Sequence, residues 1–203
     1  MSGGVDSAVT AYLLKASGYD VIGVTLRTWI NAKDEVSRCC EIDDAKAAAD
    51  SLGIPYYVHN AGEAFRTYVT TPFIEEYLAG RTPNPCVVCN RYVKWEGMLQ
   101  AADIFGAEYV ATGHYASVVR LPNGRFTIRQ AANVAKDQTY MVYRLTQEQL
   151  ARTILPLGNL TKEEVRVIAQ KAGLMVADKP DSQEICFVTV GSYTDYIEAD
   201  PAL

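Results

Sequence analysis

Apolar positions in the first half of the chain alternate between helical and strand spacing, which predicts a parallel sheet covered by helices. Residues 7–17 read as a helix stopped by Gly18, and 21–26 as a β-branched, buried strand. An Ala-rich helix over 41–52 ends at Gly53, and a second strand follows at 54–58. Longer helices are expected over 63–79 and 90–105, then a short strand over 108–112 that ends in the Gly113-His114 turn. From there the pattern changes. Segments 115–121 and 125–130 flank Pro122-Asn123-Gly124, a hairpin signal because Asn-Gly readily takes positive φ. Thr161 and Glu164 form a capping box, with Leu160 and Val165 as its staple, for a helix that ends at Gly173. The tail over 191–203 shows no closing element.

A glycine turn that opens a helix is normally fed by a strand, which aims the turn at the C-terminal edge of a parallel sheet. Here that turn comes first, at Met1-Ser2-Gly3-Gly4. The expectation is therefore an α/β chain without its central first strand, started at an internal methionine or cut from a longer one. Residues 1–150 would form the catalytic domain, and 151–203 a helix and a cysteine-bearing loop leading into a second region.

Composition narrows the classes. The 203 residues are 49% hydrophobic and 21% charged, values of an ordinary globular protein. No apolar run approaches the ~18 residues of a membrane span, and the first residues have no signal-peptide pattern. Five cysteines are too few and odd in number for a disulfide scaffold, which points to a reducing cytoplasm. The net charge of −5 argues against a surface coated for nucleic acid. A local patch remains: Arg81, Arg91 and Lys94 lie in a stretch between Glu76 and Glu96 that holds no acid. It reads equally as a solvated helix face.

The strongest chemical signal is Ser2-Gly3-Gly4-Val5-Asp6-Ser7 at a helix start. Two glycines let the backbone approach an anion, and the first-turn N–H groups favour phosphate. Neither a Walker A ending nor a Gly-x-Gly-x-x-Gly pattern is present. Taken alone, a plain Gly turn with a Ser or Asp cap fits as well. A second signal is Asn84-Pro85-Cys86-Val87-Val88-Cys89-Asn90, a Cys-x-x-Cys near a helix start with Arg91 and Lys94 close by. That setting favours thiolate. A zinc knuckle would need a second ligand pair, and Cys39, Cys40 and Cys186 are not spaced as one. Reactive or cluster-ligating thiols are the favoured reading, with inert packing as the remainder. Cys186, between Ile185 and Phe187, reads on its own as core.

The hexapeptide matches the PP-loop of the N-type ATP pyrophosphatases. Further motifs follow in one order: Gly23 to Trp29, Arg38-Cys39-Cys40, Pro83 to Asn90, Ala111 to Ala116, Lys136 to Tyr140 and Ser182 to Val188. Together they resemble the tRNA-specific 2-thiouridylases over nearly the whole chain. The resemblance implies a five-stranded parallel sheet and Mg-ATP cleaved to AMP and pyrophosphate. It implies ATP binding by Ser2, Gly3, Gly4, Val5, Asp6, Ser7, Leu26 and Gly113. Asn84, Pro85 and Cys86 would meet the target base, and His114, Lys136, Asp137 and Gln138 the tRNA. Cys186 would carry persulfide sulfur supplied by a cysteine desulfurase or relay protein, and Cys89 would be its catalytic partner. Many relatives carry Asp where Cys86 stands, so no acid–base role passes to it. Cys86, Cys89 and Cys186 could instead ligate a [4Fe–4S] cluster. Cys39 and Cys40 are read as structural. The rivals are another PP-loop ligase and a non-catalytic nucleotide-binding fragment; as given, the chain is expected to fold poorly and be inactive.

Overall fold

A computed structural model of the chain describes residues 1–28, 41–180, 185–188 and 191–199. The readings of Trp29, of Cys39 and Cys40, and of 182–184 lie outside the described residues.

Helix α1 (Val5–Ala16) begins two residues earlier than its apolar pattern suggested, with Gly4 as N-cap. Strand β1 (Gly23–Arg27) follows, then α2 (Ile42–Leu52), which ends on Gly53 in the left-handed region. Strand β2 (Tyr56–Asn60) pairs in parallel with β1, Gly23 opposite Tyr56.

The two long helices expected over 63–79 and 90–105 are each interrupted by a π turn. The first run is α3 (Gly62–Phe65), a π turn over Arg66–Thr70, and α4 (Thr71–Leu78). The second is α5 (Pro85–Cys89), a π turn over Asn90–Lys94, and α6 (Trp95–Phe105). Spacing explains the breaks. Phe65, Val69 and Phe73 are four apart and all at most 2% exposed, whereas an α-helix turns in 3.6 residues, so the extra residue keeps them facing one core. Pro72 also cannot donate into the preceding turn.

After α6, β3 (Val110–Ala111) leads to the predicted hairpin, β4 (Ala116–Arg120) with β5 (Phe126–Gln130). Short helices α7 (Thr139–Val142) and α8 (Gln147–Ala151) come next. Strand β6 (Thr153–Ile154) pairs in parallel with β3. Helix α9 (Lys162–Lys171) starts on the Thr161–Glu164 capping box. The segment after residue 150 is thus woven into the first half, through β6 on β3 and α9 on α1. The tail corrects its reading: α10 (Tyr193–Glu198) forms on a second capping box, Ser192 with Asp195.

Three apolar clusters hold these layers. One joins α1 and α2 to Val165 and Leu174. A second gathers Phe65, Phe73, Cys89 and Phe187. The third surrounds Trp95, whose indole N–H donates to Thr153 at 2.7 Å.

Among the described residues the parallel sheet consists of two separate pairs, β1–β2 and β3–β6. A cavity of about 390 Å³ lies between them, lined by Gly23, Val24, Val110 and Ala111 with residues of α1 and α6. Met1 runs beside β1: its amino group donates to the Val24 carbonyl, and its carbonyl accepts from Thr25 Oγ1 at 2.7 Å. Unpaired strand edges are costly. Five β-branched residues placed ahead of Met1 should therefore pair with both edges and raise the thermal midpoint by about 4 °C or more, at ~2–4 °C per kcal/mol for a chain of this size. An unchanged midpoint in calorimetry would show that the cavity does not take a strand.

Candidate functional site

The loop before α1 folds for a physical reason. Gly3 adopts φ +78°, and a Cβ there would come within 2.7 Å of the Glu41 carbonyl. Gly4 has no side chain to accept from the first helical turn, so those N–H groups face outward for an anion. Ser7 Oγ accepts from the Ser2 N–H at 3.1 Å and donates to the Gly4 carbonyl at 2.9 Å, which rounds the loop over the helix end.

Asp6 is the loop's anchor. Its carboxylate accepts from Lys162 Nζ at 2.7 and 2.8 Å and from the Tyr115 hydroxyl at 2.9 Å. The Lys162 side chain is 8% exposed and that of Asp6 30%. Lys162 is the functional residue that the sequence reading missed. Its only signal was a lysine at the first position of a capped helix, where an acid is the usual choice. Lys179 was missed too: it donates to the Gly3 carbonyl at 3.3 Å and pairs with Glu41 and Asp44. Burial pulls its ammonium below the ordinary lysine range.

One cavity of about 470 Å³ brings together most of the expected site: Ser2, Gly4, Val5, Asp6, Ser7, Leu26, Cys89, Gly113, His114, Lys136 and Gln138 all line it. Lys94 and Lys179 add positive charge to its wall, suited to a polyphosphate. Gly113 touches the loop so closely that a Cβ would sit 2.8 Å from Asp6 Cβ. Gly3, Asn84, Pro85, Cys86, Asp137 and Cys186 are not among the lining residues. Asn84 instead caps α5, its side chain accepting from Val87 N–H at 3.3 Å, with Pro85 at the helix start. Asp137 braces its own loop, accepting from the Ala131 and Thr139 N–H groups and from the Thr139 hydroxyl at 2.5 Å. Burial opposes ionisation of Asp137, but these hydrogen bonds outweigh it and hold the carboxyl below the usual range. Gln138 accepts from the Tyr115 N–H at 3.0 Å.

The thiols separate by exposure. Cys86 is exposed, Cys89 buried and Cys186 half-buried. Cys89 and Cys186 share one apolar cluster, fastened by Phe187, which is 2% exposed and packs edge-on against Phe65 and Phe73. Among the described residues no three His, Cys, Asp or Glu side chains converge as a metal site. The basic patch is also divided. Arg81 is bound twice by Glu76 and Arg91 by Glu96, while Lys94 faces the cavity.

The anion loop at a helix start, the parallel strands and the cationic cavity above their ends define an α/β nucleotide-binding domain. The chain belongs to the tRNA methyl transferase HUP domain family, whose pattern matches residues 1–190. A tRNA-specific 2-thiouridylase MnmA of Lachnoclostridium phytofermentans is 57% identical over 98% of this chain. A second, from Caldanaerobacter subterraneus, is 52% identical over 98%. The chain spans 57% of the length of each. The U34-tRNA thiolase NcsA from Methanococcus maripaludis, solved with its [4Fe-4S] cluster, has the same fold, with a TM-score of 0.58. It is 19% identical, over 97% of this chain and 61% of that one. No helix among the described residues is long and apolar enough to cross a membrane.

Two predictions follow from this geometry. Burial, reinforced by the charge of Lys94, lowers the His114 pKa from 6.5 to about 3. Its ring packs on Trp95, and Nδ1 lies 2.8 Å from Thr112 Oγ1. The folded chain keeps His114 neutral while the unfolded chain takes up a proton near pH 6.5. Its effect on stability is therefore nil above that pH, and stability falls as the pH drops from 6.5 towards 3. The slope is at most about 1.4 kcal/mol per pH unit. In denaturant titrations at several pH values, His114→Gln should flatten this slope relative to the wild type. Gly113→Ala forces the loop away from α1's first turn and should weaken pyrophosphate binding about tenfold or more by calorimetry, equivalent to ~1.4 kcal/mol; unchanged binding would place the anion elsewhere.

Proposed function

We propose that the chain carries out ATP-dependent 2-thiolation of the wobble uridine of tRNA, in the cytoplasm. The observation that carries this reading is the position of Cys89. It lines the cavity that also holds the anion loop, and it belongs to the apolar cluster that contains Cys186. A nucleotide site and a pair of thiols therefore meet at one short helix. Similarity to relatives named as tRNA 2-thiouridylases supports the substrate class.

In this reading Mg-ATP enters as substrate. The loop of Ser2 to Ser7 holds its phosphates, the backbone at Leu26 its adenine, and Gly113 closes the pocket. The C2 oxygen of uridine is a poor leaving group. Transfer of AMP to it, with loss of pyrophosphate, makes it a good one. The terminal sulfur of a Cys186 persulfide attacks C2 and AMP departs. Cys89 thiolate then attacks the bridging sulfur, the S–S bond to the nucleoside breaks, and 2-thiouridine leaves. A Cys89–Cys186 disulfide remains, and a two-electron dithiol reductant reopens it. A cysteine desulfurase or sulfur-relay protein supplies the persulfide. Asn84, Pro85 and Cys86 would meet the base, and His114 and Lys136 to Gln138 the tRNA.

The test supplies α-labelled ATP, unmodified tRNA, a cysteine desulfurase with cysteine as persulfide source and a dithiol reductant to the anaerobically purified protein. AMP and pyrophosphate should form only with tRNA, together with thiouridine, and Cys186→Ser should abolish the thiouridine. ADP, or AMP made without tRNA, would identify a different PP-loop enzyme.

A further inference from the structure

Both π turns carry a tyrosine at their centre, Tyr68 in Arg66–Thr70 and Tyr92 in Asn90–Lys94. The two rings stack on each other, with centroids 5.2 Å apart and planes 18° apart. Neither belongs to an apolar cluster, and Tyr68 is 44% exposed. Arg144 joins them: its guanidinium lies 5.3 Å from the Tyr92 centroid and donates to the Tyr92 hydroxyl at 3.3 Å. Asn90 Nδ2 donates to the Met141 carbonyl at 3.2 Å, which fixes the chain leading to Arg144 against the second π turn. Among the described residues Arg144 pairs with no carboxylate, whereas Arg91, also over Tyr92, is neutralised by Glu96. An exposed ring, Tyr68, backed by the half-buried Tyr92 and an uncompensated guanidinium, on a chain of net charge −5, is a surface for something flat and anionic.

We propose that Tyr68, Tyr92 and Arg144 form a stacking platform for an unpaired nucleotide next to the target uridine. This rests on the reading that a tRNA anticodon loop is the substrate. Aromatic rings take bases of any sequence on their faces, and arginine can hold the adjoining phosphate. Position supports the assignment. Tyr92 is three residues beyond Cys89 on the same helical run, roughly 4–5 Å along the axis, close to the ~3.4 Å between nucleotides of a stacked strand. A base beside the reacting uridine therefore comes to rest on the outer face of Tyr68, with Tyr92 stacked behind it. π turns recur at functional sites because they aim a side chain that a regular helix would not.

The test uses anticodon stem-loop RNAs with 2-aminopurine on either side of the wobble uridine, bound to the whole protein. Stacking quenches the fluorophore in at least one of them. Tyr68→Leu, which alters an exposed ring, should weaken stem-loop binding by about tenfold and restore most of the fluorescence. Tyr92→Phe keeps the ring and should retain the quench. If wild-type protein binds and thiolates the RNA while Tyr68→Leu and Tyr92→Leu bind it with unchanged affinity and quench, the platform is wrong and the function stands. Equal weakening towards a blunt duplex without a loop would also overturn it, as general charge attraction. A wild-type protein that binds no stem-loop, with or without ATP, removes both readings.

Discussion

The structure depends on one ion pair. Asp6 opens α1 and Lys162 opens α9, 156 residues later. Their contact is largely removed from water, and Tyr115 closes it from a third element. A buried charge that loses its partner costs several kcal/mol, so each of these helices needs a residue of the other's first turn in place. The pair also fixes the loop that precedes Asp6. It thereby couples the anion site to the late part of the chain, which a reading by segments would have treated as an appendage. Whatever binds in front of Gly4 meets a loop braced from behind.

The cavity inherits its order from this brace. Gly113 lies against Asp6 because nothing larger fits, and the turn that holds it places His114 against Trp95. Trp95 follows the π turn that follows Cys89, so the tryptophan at the centre of one cluster and the thiol at the edge of another belong to a single helical run. Phe187 does the same for Cys186. Its buried ring carries the packing energy, and the cysteine before it is held near the surface.

Much of this was legible in the sequence. Periodicity located β1 to β5, the Asn-Gly hairpin and the Thr161–Glu164 cap, all of which are set by neighbours within a few residues, but not the two-residue β6, which exists only through its pairing with β3. The glycine loop was legible as chemistry, since the reason for two glycines before a helix is local. The missed features are those whose cause is distant. Lys162 looked like an ordinary charged residue until α9 was laid on α1. The π turns were invisible because four-residue spacing satisfies an α-helix nearly as well, and only the shared core at Phe65, Val69 and Phe73 decides between them. Cys186 read as core on its neighbours alone. Its place in the cluster that contains Cys89 is set by Phe187 inserting between helices far away in sequence. The closing helix α10 was overlooked although its Ser192–Asp195 cap is a local signal.

Cys89 stands in a wall with two sides. One faces the nucleotide cavity, the other the cluster around Phe187. A ligand seated against that wall covers the side of Cys89 that lines the cavity, so the accessibility of this thiol to dissolved oxidants depends on whether the cavity is filled.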